Sequence, residues 1–234
     1  MKKKLLSVVL TAVMAASVLT GCGSTDNGTA STAAATGTAQ SEAAATSAAS
    51  TDGKVYNIGI CQLVQHAALD AATQGFQDVL TEEFGDNVTF DLQNAQGDSA
   101  TCATICNQFV SSNYDLILGN GTAALQAAYT ATPSIPILGT SITDYGTALD
   151  MAEWTGVSGM NVSGTTDLAP LDKQADMLKE LFPDAKTIGI LYCSAEANSK
   201  YQSDTITPFF ESAGYTVKTY SFADSNDVAA VAKT

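Results

Sequence analysis

The chain has 234 residues and a formal net charge of −14 at pH 7, with 10 basic residues, all lysine, against 24 acidic ones. Such an acidic surface repels a phosphate backbone, so nucleic acid is excluded as a partner class. A single histidine, His66, leaves almost nothing for nucleophile-and-base catalysis or for a zinc site, and no G-x-S-x-G motif is present.

Lys2, Lys3 and Lys4 precede an apolar run, 5–19, that is too short for an ordinary membrane span. This is the charged and apolar pattern of an export signal. The segment Leu19-Thr20-Gly21-Cys22 resembles the lipobox of bacterial lipoproteins, in which the cysteine is lipidated and becomes the mature N-terminus. An ordinary secretory signal with a coincidental cysteine is the competing reading. Residues 1–21 are the expected signal peptide. Without its three lysines, seven lysines face 24 acidic residues, a balance of −17. Residues 22–53 are almost entirely Ser, Thr, Ala and Gly, without an aromatic residue, and read as a flexible tether. An alanine-rich helix competes, weakened by the interspersed Gly, Ser and Thr.

The folded part is expected from Lys54. Tyr56, Ile58 and Ile60 alternate with smaller residues as a first strand, followed by the polar turn 62–66. From Leu69 the apolar residues Leu69, Ala72, Phe76, Val79, Leu80 and Phe84 fall at helical spacing. Residues 87–93 alternate as a second strand, and Asp98 or Ser99 is the N-cap of a helix to about Ser112. The run 115–119 is a third strand of buried parallel type, followed by a helix 123–131 that Pro133 ends. The spacing predicts a fourth strand over 135–139, a polar turn over 140–144, and a crossing strand around Val157 and Met160. Residues 161–167 read as polar and Gly-containing. A helix over 168–182, capped by Asp167, places Leu171, Ala175, Leu178, Leu181 and Phe182 on one face. A strand over 187–192, a helix over 198–213 stopped by Gly214, a strand over 215–220 and a helix from Val228 complete the chain.

The order is β-α repeated about six times, an α/β chain with parallel sheets and helices on both faces. Ile58-Gly59-Ile60-Cys61 and Ile188-Gly189-Ile190-Leu191 look like equivalent first strands of two doubly wound domains, 54–165 and 166–234. The second has too few strands to be whole, so a C-terminal portion is expected to be missing.

Gly119-Asn120-Gly121-Thr122-Ala123-Ala124 matches the G-x-G-x-x-A dinucleotide fingerprint, with Asp144 downstream. That fingerprint belongs on the first βα unit, and this is the third; an exported protein also has little access to such cofactors. No cofactor and no metal are expected. The glycines are better read as permitting close backbone approach, with free N–H groups at a helix start that can hold a carboxylate. Cys102 and Cys106, with Ile105 and Phe109, make an apolar helix face and read as core rather than zinc ligands. A Cys61–Cys193 bridge cannot be judged from spacing. His66 reads first as a helix-start residue.

Gln62-Leu63-Val64-Gln65-His66-Ala67-Ala68-Leu69-Asp70, Gln93-Asn94-Ala95-Gln96-Gly97-Asp98 and Leu116-Ile117-Leu118-Gly119 resemble successive motifs of one family, the ABC transporter substrate-binding lipoproteins of tryptophan, tyrosine and phenylalanine uptake. Ile135-Pro136-Ile137-Leu138 with Thr143-Asp144, then residues 161–167 and 194–199, continue the series in order. The family often has proline at the positions of Ala67 and Tyr145. The resemblance implies a periplasmic-binding-protein-like pair of domains, a ligand-binding and non-catalytic role, and an amino-acid-like ligand, aromatic ones included. It also implies permease and ATPase partners and a monomer held by a lipid at Cys22 on the outer face of the cell membrane.

With no arginine, a ligand carboxylate is expected at backbone N–H groups and hydroxyls around Asn120, Gly121 and Thr122, Thr140 and Ser141, Thr165 and Thr166, and Asn198 and Ser199. Its ammonium is expected at Asp144, Asp167 or Glu196, each equally readable as an N-cap. Gln62, Leu63 and His66 are expected to line the side-chain pocket. A sensing receptor lipoprotein, a sugar- or nucleoside-binding protein of the same fold, and an exported enzyme remain the alternatives.

Overall fold

Strand β1 (Tyr56–Gln62) is buried from Ile58 onward because helices cover both of its faces. In this computed structural model, which describes residues 53–233, Ile58 and Ile60 meet Phe76 and Leu80 of α1 (Ala67–Phe84). The alternate residues face α2 (Ser99–Ser111): Cys61 packs with Cys102, Cys106 and Phe109. Gly59 must lack a side chain, since a Cβ there would stand 2.6 Å from the Phe109 ring. The expected signal peptide, Cys22 and all but the last residue of the expected tether lie outside the described residues.

Strands β2 (Val88–Asn94), β3 (Leu116–Asn120), β4 (Ile137–Ile142) and β5 (Val162–Thr166) join β1 in a parallel sheet of order β2-β1-β3-β4-β5. The chain runs outward from β1 to β2, then back past β1 to β3. Helix α1 therefore lies on one face, and α2 and α3 (Thr122–Ala131) pack together on the other. Between the carboxyl ends of β1 and β3 the helices diverge, which is where ligands bind in open parallel sheets.

A second parallel sheet pairs β6 (Thr187–Cys193) with β7 (Thr216–Phe222). Helices α5 (Leu171–Leu181) and α6 (Ala197–Ser212) cover one side of it through Leu171, Ala175, Ile206 and Phe210. Together the five-stranded and the two-stranded parallel sheet, with helices packed on them, give the α/β architecture expected. Among the described residues no helix is long and apolar enough to cross a membrane.

Several elements differ from expectation. Strand β4 starts after Pro136 and continues through Thr140 and Ser141, because a register shift between Gly139 and Ile142 lets polar residues end it. A short helix, α4 (Tyr145–Ala148), follows where none was expected. Residues 161–167, read only as polar and Gly-containing, contain β5, an exposed edge strand that needs no apolar pattern. Val157 is 69% exposed in a loop, and no strand runs through it. Helix α5 begins late, because Pro170 takes its N-cap position; Asp167 instead donates its backbone N–H to the Ile142 carbonyl at 3.0 Å. Leu181 (61% exposed) and Phe182 (58%) do not share the buried face of Leu171 and Ala175.

Candidate functional site

The carboxyl ends of β1 and β3 are in register, Gln62 beside Asn120. Backbone bonds stitch the three loops that leave this edge: Leu63 N–H donates to the Asn120 carbonyl (3.0 Å), Ala95 N–H to that of Gln62 (2.9 Å), and Gly97 N–H to that of Leu63 (2.7 Å). Gly121, at φ 102°, carries the chain into α3, and a Cβ there would stand 3.0 Å from the Leu63 Cβ. Glycine is needed on both counts, backbone conformation and close approach.

Beneath this edge lies a chain of side-chain hydrogen bonds. Asn120 Nδ2 donates to the Leu69 carbonyl (2.8 Å) and to Thr73 Oγ1 (2.9 Å). Thr73 Oγ1 donates to Gln62 Oε1 (2.7 Å), and Gln62 Nε2 donates to the Val64 carbonyl (3.0 Å) and Asp70 Oδ1 (2.6 Å). Gln62 is 3% exposed, Thr73 2% and Asn120 0%. Asn120 Oδ1 is buried with no donor among the described residues, a condition that costs about 1–3 kcal/mol.

A cleft of 1150 Å³ runs from this edge to the second sheet. Leu63, Val64, Gln96, Asp98, Ser99 and Ala123 line it on one side, and Cys193, Glu196, Ser199, Gln202 and Asp224 on the other. A smaller hollow of 620 Å³ shares Val64 and Gln96 and adds Gln62, Gln65, Asp70 and Asn94. Among the described residues no lysine lines the cleft. Its charges are carboxylates: Asp98 caps α2 by accepting from Thr101 N–H at 2.6 Å, and the Thr101 hydrogen bonds hold its carboxyl below the usual range. Glu196 accepts from the Ser199 hydroxyl at 2.9 Å. Gln202 Nε2 reaches Thr143 Oγ1, across from α6 to the end of β4, at 3.5 Å.

The other expected residues are not among those that line this cleft. His66 is exposed and caps α1, its Nδ1 accepting from Ala68 N–H at 3.2 Å. Asp144 caps α4 through Thr147 N–H at 2.7 Å. Gly121 and Thr122 are buried at the start of α3, Thr140 and Ser141 close β4, with Ser141 at φ 56°, and Thr165, Thr166 and Asp167 lie exposed at the end of β5. Asn198 lies in the first turn of α6. Tyr145 is buried rather than offered for stacking.

Residues 57–234 match the family described as ABC transporter substrate binding protein. The chain belongs to this family. It is 38% identical over 230 residues to a "Tyrosine-binding protein" of Clostridioides difficile (strain R20291), a match covering 97% of this chain and 62% of that protein. Among solved structures it is similar to an ABC domain from Streptococcus pneumonia in complex with L-Trp: 37% identity, TM-score 0.72, 76% of this chain and 61% of the other. It is also similar to the ligand-free, open structure of a substrate binding protein with adhesive properties from Clostridium difficile, at 40% identity and TM-score 0.54, covering 74% of this chain and 60% of that one. The chain thus spans about three fifths of the length of these relatives.

For a substrate-binding protein the informative surface is the cleft wall. Of the expected residues, Leu63, Glu196 and Ser199 line it, and Gln62 and Asn120 lie buried behind it. Sequence reasoning left out Val64, Gln96, Gln202 and Asp224. Gln96 carried a signal: it sits in the turn after a strand, ahead of Gly97, and both take positive φ (54° and 82°).

Proposed function

We propose that this protein is the extracytoplasmic ligand-capturing component of an ABC importer, taking a small amino acid into the cleft between its two sheets. The observation that carries this reading is the 1150 Å³ cleft between the carboxyl edge of the first sheet and the second sheet, walled by apolar side chains together with carboxylates and amides and, among the described residues, free of lysine. An amino acid bound there presents its ammonium to Glu196, Asp98 or Asp224. Its carboxylate is held by N–H groups and hydroxyls at helix starts, those of Thr122 in α3 and Asn198 and Ser199 in α6. Thr140, Ser141, Asp144, Thr165, Thr166 and Asp167 form the rim, Leu63 and His66 belong to the side-chain end, and Gln62 supports that end from behind the wall.

Domain closure on the ligand creates the surface that the permease and its ATPase recognise. No bond is made or broken. Lipidation at Cys22 tethers a monomer to the outer face of the membrane through residues 22–53. Aromatic amino acids are the first candidates, because two relatives at 37% and 38% identity are described with tyrosine or L-Trp.

A thermal-shift screen of the full chain against the amino acids tests this. A ligand at 100 times its dissociation constant adds about 2.7 kcal/mol of stability. L-tyrosine or L-tryptophan is expected to raise the melting temperature; no shift with any amino acid overturns the reading.

A further inference from the structure

We infer that Thr73 is a positioning residue for ligand binding, tying Gln62 and Asn120 into one relay that sets the turn Leu63–His66 as the first wall of the cleft. The inference rests on the proposed amino-acid-binding reading and names residues behind the wall that touch no ligand.

The direction of the relay follows from its last member. An ionised Asp70 carboxylate only accepts. Gln62 must therefore turn Nε2 toward Asp70 Oδ1, which leaves Oε1 facing Thr73. The single hydroxyl proton of Thr73 goes to that oxygen, so Thr73 Oγ1 can only accept from its other neighbour. Asn120 must then present Nδ2, at 2.9 Å. Its second Nδ2 proton reaches the Leu69 carbonyl, and its Oδ1 is left over without a donor. One exposed carboxylate thus dictates the orientation of two buried amides on neighbouring strands.

The second proton of Gln62 Nε2 goes to the Val64 carbonyl at 3.0 Å. That bond fixes the turn whose Leu63 and Val64 line the cleft. Thr73 is the buried residue of α1, and a helix gains nothing in propensity from a β-branched hydroxyl at such a site. Valine would fill the same volume. An arrangement serving stability alone would not end on an unmet buried acceptor. The geometry it imposes on the turn accounts for its presence.

The test uses the full chain and isothermal titration calorimetry with L-tyrosine and L-tryptophan, well below the unfolding temperature. Thr73→Val is expected to raise Kd about tenfold or more, and Thr73→Ser to restore it to within about threefold of wild type. Phe76→Leu, which thins the contact of α1 with the sheet, is expected to lower the melting temperature and leave Kd unchanged. Asp70→Asn, at an exposed position and so safe for folding, is expected to raise Kd about threefold or more by removing the fixed acceptor. An unmoved Kd in both Thr73→Val and Asp70→Asn overturns the relay, as does equal weakening by Phe76→Leu. A wild-type chain that binds neither amino acid strikes the proposed ligand class instead, a result distinguishable because it precedes any substitution.

Discussion

Gly164 of β5 lies directly against Tyr145 of α4: a Cβ on Gly164 would stand 2.2 Å from the tyrosine oxygen and 2.1 Å from the Gly139 carbonyl. The tyrosine hydroxyl donates to that same Gly139 carbonyl at 2.9 Å and lies 3.3 Å from the Thr165 carbonyl. Two neighbouring strands, β4 and β5, therefore converge on one phenol at the far end of the sheet. Gly164→Ala has no room, since a carbonyl of the neighbouring strand must move, and its φ of 150° is strained for other residues. The expected cost is about 2–4 kcal/mol, read as a lower urea midpoint. A loss under about 0.5 kcal/mol would mean that β5 leaves the sheet without penalty.

The same phenol gives the fold an alkaline limit. Burial pushes Tyr145 up to about 12, against about 10 in an unfolded chain. The folded state then holds its proton more tightly than the unfolded state. The stabilising difference is complete below pH 10 and is lost as pH rises from about 10 to about 12, amounting to roughly 2–3 kcal/mol. Tyr145→Phe lacks this titration. The gap between wild type and Tyr145→Phe, measured by urea unfolding at pH 8 and at steps above 10, should narrow with rising pH. A constant gap would show that the phenol titrates alike in both states.

The elements legible in the sequence are those whose pattern is set by burial on two faces. β1 and β3 were legible in this way, and Asp98 was legible as a cap candidate because a carboxylate three residues before a free N–H has one obvious partner. β5 was not legible. Its Ser163, Gly164 and Thr165 are exposed, and the strand exists because Gly139 and Tyr145 lie beside it. The end of β4 was lost for a related reason, since a bulge with Ser141 in the left-handed region lets hydroxyl residues finish a strand. At the site, the strand-end rule pointed to Leu63, Glu196 and Ser199, which line the cleft. It could not separate wall from support. Whether Gln62 and Asn120 face the cleft depends on Thr73, in the second turn of α1, reaching back beneath them, and no spacing rule contains that bond.

The thiols offer a separate check on the core. Cys61, Cys102 and Cys106 are fully buried together between β1 and α2, whereas Cys193, at the end of β6, is half-buried. None is bridged, so the Cys61–Cys193 pairing left open by spacing is absent. The hydrogen bond with Cys102 pulls the Cys61 thiol down, but the one with Cys106 and burial outweigh it and push it up to about 12. Cys102 is raised as well, by its contact with Cys61 and by burial. A thiol with a pKa near 12 is about one part in ten thousand thiolate at pH 8, and the thiolate is the reactive form. Among these four thiols, iodoacetamide at pH 8 should therefore modify Cys193 in the native protein and leave Cys61, Cys102 and Cys106 untouched, with all four of them reacting in urea; peptide mass spectrometry distinguishes them. Native labelling of Cys61 or Cys102 at the rate of Cys193 would mean that α2 lifts from β1 on the reaction timescale, and the packing that fixes the end of β1 beside the cleft would have to be reconsidered.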